Sequence, residues 1–457
     1  MKDIYLLNYS VKGIKTLDQL VSLSFYKKII PKNPNMQEYN VKGIYGMNGS
    51  GKSGIVTSVN ILRNILTNSG YLNNPIVQKN LEEMINKRTK ELVIEADYIV
   101  KLGEMFSLIF RYKLILAKDN TEKYVIVYEQ LSSKKASSQS DDMKIIFEIS
   151  NGELVFIMEE QEAFAELIKK KTTNLLSSAS LCALFYEKIL IPTFNTDEEF
   201  TAPLFYRLVM LFVFGRKLYV YLDQSDDHSD YFIKDSLKVF EKLEDNDSQV
   251  HFLMEQYLEM NEEWLNVVLE SGNIIPKELY AYFEKVVNKL YDFLHIFKSD
   301  LQRIEIDKKE DYDTFICNLV MVYDSYRIHA EFESTGIKKL IRLFAYLKEM
   351  VRGGIVFIDE FDSNLHDVYL CALLEYLMEY GKGQLCFTTH NVGPMDVLRR
   401  RKKSIDFLSI DHRIYPWTTN GNYSPSKLYR NGMIEGSPFN VEAIDFIGVF
   451  GTDEEEE

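Results

Sequence analysis

A glycine-rich loop near the N-terminus has the residue types and spacing of a phosphate-binding turn. It spans Gly46–Ser53 and matches GxxxxGK[ST] at every fixed position, between an apolar strand, Val41–Tyr45, and a helical pattern, Ile55–Leu66. Such a turn offers backbone N–H groups to a polyphosphate, and the helix directs its partly positive N-terminus at the same anion. Lys52 is predicted to reach the β- and γ-phosphates and Ser53 to bind Mg²⁺. The predicted phosphate-binding residues are Asn48, Gly49, Ser50, Gly51, Lys52 and Ser53.

An apolar strand in the last third of the chain, Ile355–Ile358, ends in two carboxylates, Asp359 and Glu360. An all-apolar strand is typical of a buried parallel sheet, and ligands bind at the carboxyl ends of such strands. We predict that Asp359 holds Mg²⁺ opposite Ser53 and that Glu360 polarises the attacking water as general base. Taken alone, the run also fits a solvated strand end, but its combination with a phosphate loop favours the magnesium site.

Three shorter segments lie close to this strand in the sequence, one before it and two after it, and each carries residues that could belong to the same site. Ser334–Gly336 opens a helix, Asp362–His366 comes soon after Glu360, and His390 lies just past a short apolar strand. Each also has a purely structural interpretation: a helix N-cap, a polar turn before a helix, and a hydrogen-bonded histidine at a strand end. His366 is predicted to cap a helix or face solvent, without a catalytic role.

Along the chain, the five motifs are the phosphate loop, Ser334–Gly336, the acidic strand end, Asp362–His366 and His390. In this order they resemble the motifs of ABC-type ATPase heads, including the SMC and RecF-like branches, and the resemblance covers about 1–130 and 300–457. The resemblance implies that Ser334 and Gly336 belong to a signature motif. It also implies that Asp362 opens a D-loop and that His390 is the switch histidine that contacts the γ-phosphate. The family's Leu-Ser-Gly-Gly-Gln is here Glu333–Ile337, which keeps only the serine and the second glycine.

This degenerate signature is similar to that of small stand-alone ATPases of bacterial antiphage systems, described as AbiLi-like, with the ATPase subunit of two-gene PARIS-type systems as the nearest example. The resemblance implies ATP and Mg²⁺ as cofactors and a nucleotide held between two copies of the chain. Ser334 and Gly336 of one copy would then face Lys52 of the other, so a homodimer or higher homo-oligomer is expected. It further implies a separately encoded effector, a nuclease or toxin, and a phage protein as trigger.

Composition excludes several classes of protein. The chain has 457 residues and a formal net charge of −15. Its 46% of hydrophobic residues and its few glycines and prolines are typical of a folded protein. Four dispersed cysteines without a CxxC pair fit a reducing cytoplasm and argue against a disulfide framework. The most apolar window, 204–222, is interrupted by Arg207, Arg216 and Lys217, so no membrane span is expected. The residues 453–457 are all acidic and are predicted to form a solvated tail.

Along the chain, the pattern changes from α/β to helical and back to α/β. We therefore predict an α/β ABC-ATPase head, with a mixed N-terminal sheet and a parallel core sheet. Its two parts, 1–157 and 301–457, would flank a mostly helical insertion at 158–300. The insertion includes amphipathic stretches such as Ser236–Leu243 and Pro276–Phe297. The polar run Ser132–Asp142 is predicted to be a loop.

DNA repair or chromosome binding is the alternative function. The basic run Arg399–Lys403 would contact phosphates, although it also fits the solvated end of a helix. The net charge of −15 opposes DNA binding, and the SMC-like motifs favour it. A fused nuclease is a third hypothesis, but the region after Asn391 is too short for a TOPRIM domain and carries no DxD or HNH pattern.

Overall fold

The computed structural model describes residues 4–27, 30–31, 34–102, 105–138, 140, 142–158, 162–193, 203–222, 268–401, 403–418 and 423–437. The predicted helix 236–243 and the acidic tail 453–457 lie outside these residues. No helix in the described ranges is long and apolar enough to cross a membrane.

The described strands form three sheets. They are β1 Ile4–Lys12, β2 Val21–Ser24, β3 Val41–Tyr45, β4 Glu91–Leu102, β5 Met105–Lys118, β6 Tyr124–Lys135, β7 Lys144–Ser150, β8 Glu153–Ile157, β9 Leu218–Tyr221, β10 Asn273–Pro276, β11 Leu301–Asp311, β12 Thr314–Tyr323, β13 Arg327–His329, β14 Ile355–Ile358, β15 Gln384–Thr388, β16 Ile405–Leu408 and β17 Ile414–Pro416. The described helices are α1 Lys52–Thr67, α2 Pro75–Met84, α3 Glu162–Thr172, α4 Leu181–Phe185, α5 Pro203–Lys217, α6 Tyr280–Phe297, α7 Thr335–Arg352, α8 Asp367–Tyr380, α9 Gly393–Leu398 and α10 Pro425–Arg430. A π-helical turn, Tyr186–Leu190, and a last turn, Ile191–Thr193, prolong α4.

The central sheet has the strand order β17-β16-β3-β15-β14-β9, and its pairs are parallel except for the edge strand β17. In β14, alternate side chains enter different cores because successive residues of a strand point to opposite faces. Ile355 and Phe357 pack with α1 and the N-terminal sheet, whereas Val356 and Ile358 pack with α7, α8 and α9. Helices therefore cover both faces, and the predicted α/β class with a parallel core sheet is confirmed.

The N-terminal sheet has the order β2-β1-β4-β5-β6-β7-β8, and every neighbouring pair in it is antiparallel rather than mixed. Part of the predicted loop Ser132–Asp142 belongs to this sheet. Ser132 pairs with Ile145 and Ser133 with Lys144, so β6 continues to Lys135. Both serines are buried. The loop prediction was wrong at Ser132–Lys135 because neighbouring strands pair with the backbone of these residues, and backbone pairing does not depend on how polar their side chains are.

The predicted insertion at 158–300 shares sheets and cores with the rest of the chain. Its strand β9 pairs in parallel with β14 in the central sheet, and β10 pairs with β12. The helices α3, α4 and α5 contribute to the same core as α1 and the N-terminal sheet. The predicted stretch Pro276–Phe297 contains α6, which begins only at Tyr280, because Pro276 ends β10 and Lys277–Leu279 form a 3-10 turn. The division into 1–157, 158–300 and 301–457 stays a prediction.

Helix α7 connects the third sheet with the central sheet. The third sheet has the order β10-β12-β11, with β13 paired to β12. Residues near the start of α7, such as Ile337 and Ile341, pack with α6 and this sheet, whereas Leu347 and Met350 pack against the central sheet. Ser334 caps its start, and Gly353 ends it in a left-handed conformation (φ 112°).

Candidate active site

The glycine-rich loop connects β3 to α1, as predicted. Gly49 and Gly51 both have left-handed backbones, with φ of 79° and 103°, a region that favours glycine. A side chain at Gly51 would also approach the Leu17 Cδ2 atom to 2.3 Å, whereas one at Gly49 would meet nothing within 4 Å. The chain segment before β2 therefore packs closely under the loop, and the Gly49 side of the loop stays open for a ligand.

Lys52 is buried at the start of α1, and its ammonium group points back into the loop. It donates to the carbonyl oxygens of Gly46 at 2.7 Å and Met47 at 3.0 Å. Burial lowers the pKa of Lys52 to about 8, although the carboxylates of the segment 359–362 oppose this shift. An incoming polyphosphate would compete with those two carbonyl oxygens for the ammonium group, because a phosphate oxygen forms an ion pair with it as well as a hydrogen bond.

The residues at the acidic strand end fit a magnesium ion chemically. Asp359 and Ser53 offer a carboxylate and a hydroxyl, the oxygen ligands that Mg²⁺ prefers, and Mg²⁺ usually takes its other ligands from water and phosphate. Within the described ranges, no group of three or more His, Cys, Asp or Glu side chains is arranged to hold a metal.

Thr388, which the sequence analysis missed, holds the acidic strand end in place. Its hydroxyl donates to Asp359 Oδ1 at 2.6 Å and accepts the backbone N–H of Glu360 at 2.8 Å. The N–H of Asp359 donates to the carbonyl of Tyr221 in β9 at 2.9 Å. The sequence signal for Thr388 was its place at the end of β15, because adjacent parallel strands end side by side.

Glu360 leaves the strand in a left-handed conformation, with φ of 48°. Glutamate rarely adopts this conformation, and it costs about 1–2 kcal/mol. The Glu360 side chain is exposed while the neighbouring Asp359 is buried. The turn thus separates the two carboxylates. Asp359 is fixed at the edge of the sheet, whereas Glu360 faces solvent, where a water molecule can reach it.

His390 lies just past β15, at the same edge of the central sheet. Partial burial and the nearby cation of Lys52 lower its pKa, and the carboxylates of Asp362, Glu360 and Asp359 oppose this. The structure therefore brings His390 within electrostatic reach of the phosphate loop and of the acidic strand end. A lowered pKa favours the neutral imidazole, which can donate one hydrogen bond through its N–H.

The predicted signature segment lies at the exposed start of α7. The Ser334 hydroxyl accepts the N–H of Ile337 at 3.4 Å, so the N-cap interpretation is confirmed, and the signature role stays a prediction. The Thr335 hydroxyl donates to Asn364 Oδ1 at 3.2 Å, and a side chain at Gly336 would approach the Asn364 carbonyl oxygen to 2.6 Å. The segment thus packs on the D-loop-like turn of its own chain, while Ser334 remains exposed.

Two other sequence predictions concern histidine and the basic run. His366 caps α8 by accepting the N–H of Val368 at 3.4 Å, as predicted. Arg400 pairs with Glu375, Arg401 donates to the Met378 carbonyl at the end of α8, and Lys403 donates to Ser24 and to the Tyr26 carbonyl. The described part of the basic run is therefore largely engaged within the chain.

Comparison with known proteins finds a family similarity that covers part of this site. A family model described as "AAA domain, putative AbiEii toxin, Type IV TA system" matches residues 215–396. The matched stretch includes Ser334, Asp359, Glu360 and His390 but not the loop at 46–53. Residues 215–396 are therefore similar to the AAA domains of this description.

Solved structures give weaker likenesses. The chain is 12% identical to the structure titled "Structure of the recombination mediator protein RecF-ATPrS in RecFOR pathway", with a TM-score of 0.38, covering 91% of this chain and 99% of that one. The corresponding RecF-ATP structure is 13% identical, with a TM-score of 0.36 and the same coverage. Among curated proteins, none matches this chain.

Proposed function

We propose that this protein is an ABC-type ATPase that binds ATP with Mg²⁺ and hydrolyses it to ADP and phosphate. The observation that carries the proposal is the gathering of Lys52, Asp359, Glu360 and His390. These titratable groups come from three separate parts of the sequence and lie where the neighbouring parallel strands β3, β15 and β14 end, at one edge of the sheet. Phosphoryl transfer to water requires positioning and charge stabilisation more than covalent chemistry, and this set offers both.

The residues have distinct roles in this proposal. The loop 48–53 holds the polyphosphate through its backbone N–H groups and the Lys52 ammonium group. Asp359 and Ser53 would hold Mg²⁺, which when bound neutralises charge on the phosphates. The exposed carboxylate of Glu360 accepts a proton from the attacking water, and the neutral His390 donates a hydrogen bond to the γ-phosphate.

A second copy of the chain completes the site in this proposal. Ser334 and Gly336 lie at the N-terminus of an 18-residue helix, and Ser334 is exposed. A helix N-terminus attracts anions. In an ATP-bound dimer, this helix end would face the γ-phosphate held by the partner's phosphate loop, and hydrolysis would remove the contact that keeps the dimer closed.

We further propose that the ATPase serves in a bacterial antiphage system of the abortive-infection type, in the cytoplasm, and controls a separately encoded nuclease or toxin. Support comes from the AbiEii and toxin–antitoxin wording of the family model. The ESTG-type signature adds to this support. The trigger would be a phage protein. The alternative remains a RecF-like DNA-binding ATPase, but most of the described basic run 399–403 is engaged in contacts within the chain.

Native mass measurement of the wild type and Glu360→Gln tests this proposal, with and without ATP, Mg²⁺ and double-stranded DNA. We expect the substitution to abolish hydrolysis and to trap an ATP-dependent dimer that DNA does not affect. Co-purification with a second protein from the native host would support the effector-holding role. Salt-sensitive DNA binding that ATP strengthens would favour the repair-type ATPase instead. A monomer that ignores ATP would contradict the dimer mechanism.

A further inference from the structure

A buried lysine connects the helix that Ser334 caps to the backbone of Glu360. Lys339 lies in the second turn of α7 and is 4% exposed. Its ammonium group donates to the Glu360 carbonyl oxygen and to the Ser363 hydroxyl. It also lies 5.9 Å from the ring centroid of Tyr221. Burying a cation is costly unless oxygen acceptors surround it, so these contacts fix the lysine firmly in this place.

The backbone that Lys339 contacts is the strained one. A left-handed glutamate persists only where its surroundings hold it in that conformation. The N–H of Glu360 is fixed by the Thr388 hydroxyl, and its carbonyl oxygen accepts both the N–H of Ser363 at 3.0 Å and the ammonium group of Lys339. Thr388 therefore fixes Glu360 from the central sheet, and Lys339 fixes it from α7.

Resting on the proposed ATPase function, we infer that Lys339 is a positioning residue for hydrolysis. By fixing the Glu360 carbonyl group, it directs the carboxylate of the general base toward the attacking water. Because Lys339 belongs to α7, a shift of this helix would also change the orientation of the Glu360 carboxylate. Contact of Ser334 with a partner's nucleotide would therefore be transmitted along about one and a half helical turns to the catalytic carboxylate.

The adjacent lysine provides a matched control. Lys338 is half-buried on the same helix and donates to the Glu331 carbonyl oxygen at 3.3 Å, before the helix begins. It makes none of the contacts described here to Glu360 or Ser363. Replacing it removes the same charge from the adjacent position of the same helix, without touching the backbone turn that carries the general base.

The test measures kcat and KM for ATP, and the dissociation constant of a fluorescent ATP analogue. The variants are Lys339→Met, Lys339→Arg and Lys338→Met. We expect Lys339→Met to lower kcat about 10- to 100-fold, as loss of a group that orients a catalytic residue does. KM and the dissociation constant should stay within about threefold of the wild type, since the phosphate loop is intact. Lys339→Arg should recover most of the loss, and Lys338→Met should behave as the wild type.

Ser363→Ala is a second variant that removes the other contact without burying an unpaired charge. It should lower kcat at unchanged KM, and the double variant with Lys339→Met should lose little more than Lys339→Met alone, because both act through one turn. The inference is overturned if Lys339→Met and Lys338→Met have equal kcat, or if the loss appears in KM. Should Lys339→Met fail to fold, an unchanged kcat of Ser363→Ala overturns it. A wild type without ATPase activity would overturn the proposed function as well.

Discussion

The phosphate-loop side and the α7 side of the proposed ATP site are held in different ways. Lys52 and Asp359 are buried, and each is hydrogen-bonded to the backbone or to a neighbouring side chain. Ser334 and Thr335, by contrast, are exposed, and the Ser334 hydroxyl makes a long N-cap hydrogen bond. The phosphate-loop side is therefore preorganised by contacts within one chain, whereas on the α7 side the N-terminus of the helix is exposed to solvent.

This difference matches the roles in the proposal. Preorganised donors stabilise a reacting phosphate because they need not rearrange during the reaction. A surface that must bind and release a partner at each cycle has to remain accessible when the partner is absent. Substitutions in each region therefore should affect different properties of the protein, ATP-dependent dimerisation at the start of α7 and the bound nucleotide or Mg²⁺ on the phosphate-loop side.

The largest effect is expected from Ser334→Arg. The positive charge of arginine would oppose the helix dipole at this N-terminus, and its long side chain would sterically block the close approach of a partner's nucleotide. We expect hydrolysis to fall about 100-fold, comparable to the loss of a transition-state hydrogen-bond donor, while nucleotide binding by the monomer is retained. Steady-state hydrolysis and equilibrium binding of a fluorescent ATP analogue measure the two properties separately.

Ser424→Arg is the matched control for this variant, because Ser424 caps α10 by accepting the N–H of Lys427 at 3.2 Å. Both substitutions remove a serine cap, which costs about 1 kcal/mol of stability. Only the change at Ser334 should affect hydrolysis and ATP-dependent dimerisation. Equal activities of the two variants would show that the start of α7 takes no part in the reaction.

A smaller effect is expected from Thr388→Val, which keeps the shape of the side chain but removes the hydroxyl between Asp359 and Glu360. We expect kcat to fall about tenfold and the Mg²⁺ concentration needed for half-maximal activity to rise, since orienting partners of metal ligands have effects of this size. Thr389→Val is the control, because the Thr389 hydroxyl accepts the N–H of Asn391 instead. The same kcat in both variants would remove Thr388 from the mechanism.

How far the sequence predicts this molecule depends on whether a feature is local. The phosphate loop, β3 and β14 were predicted with their bounds because turn glycines and apolar runs act within a few residues. Thr388 and Lys339 could not be found in this way, because their partners are 28 and 21 residues away along the chain. Strand β9 was missed because its four residues directly follow an apolar helix, and so short a segment is not long enough to show the alternation of apolar and polar residues that marks a strand.

The smallest effect concerns pH and belongs to the phosphate-loop side. Burial lowers the pKa of Lys52 to about 8 in the nucleotide-free protein, and a bound polyphosphate raises it again. Nucleotide binding therefore favours the protonated lysine. Affinity should be nearly constant just above pH 7 and then decline as pH rises through 8, by at most about tenfold per pH unit. Titration of a fluorescent ADP analogue between pH 7 and 9.5 measures this decline.

Lys52→Arg shows whether this lysine is the group that titrates. Arginine stays protonated throughout this pH range, so the variant should bind less tightly but with a flat pH profile. A decline of equal steepness in the variant would assign the titration to a group other than Lys52. A flat profile in the wild type would mean that the ammonium group is better solvated than its contacts with Gly46 and Met47 indicate. In that case the phosphate-loop side would be as open to water as the start of α7, and the contrast between the two regions would not hold.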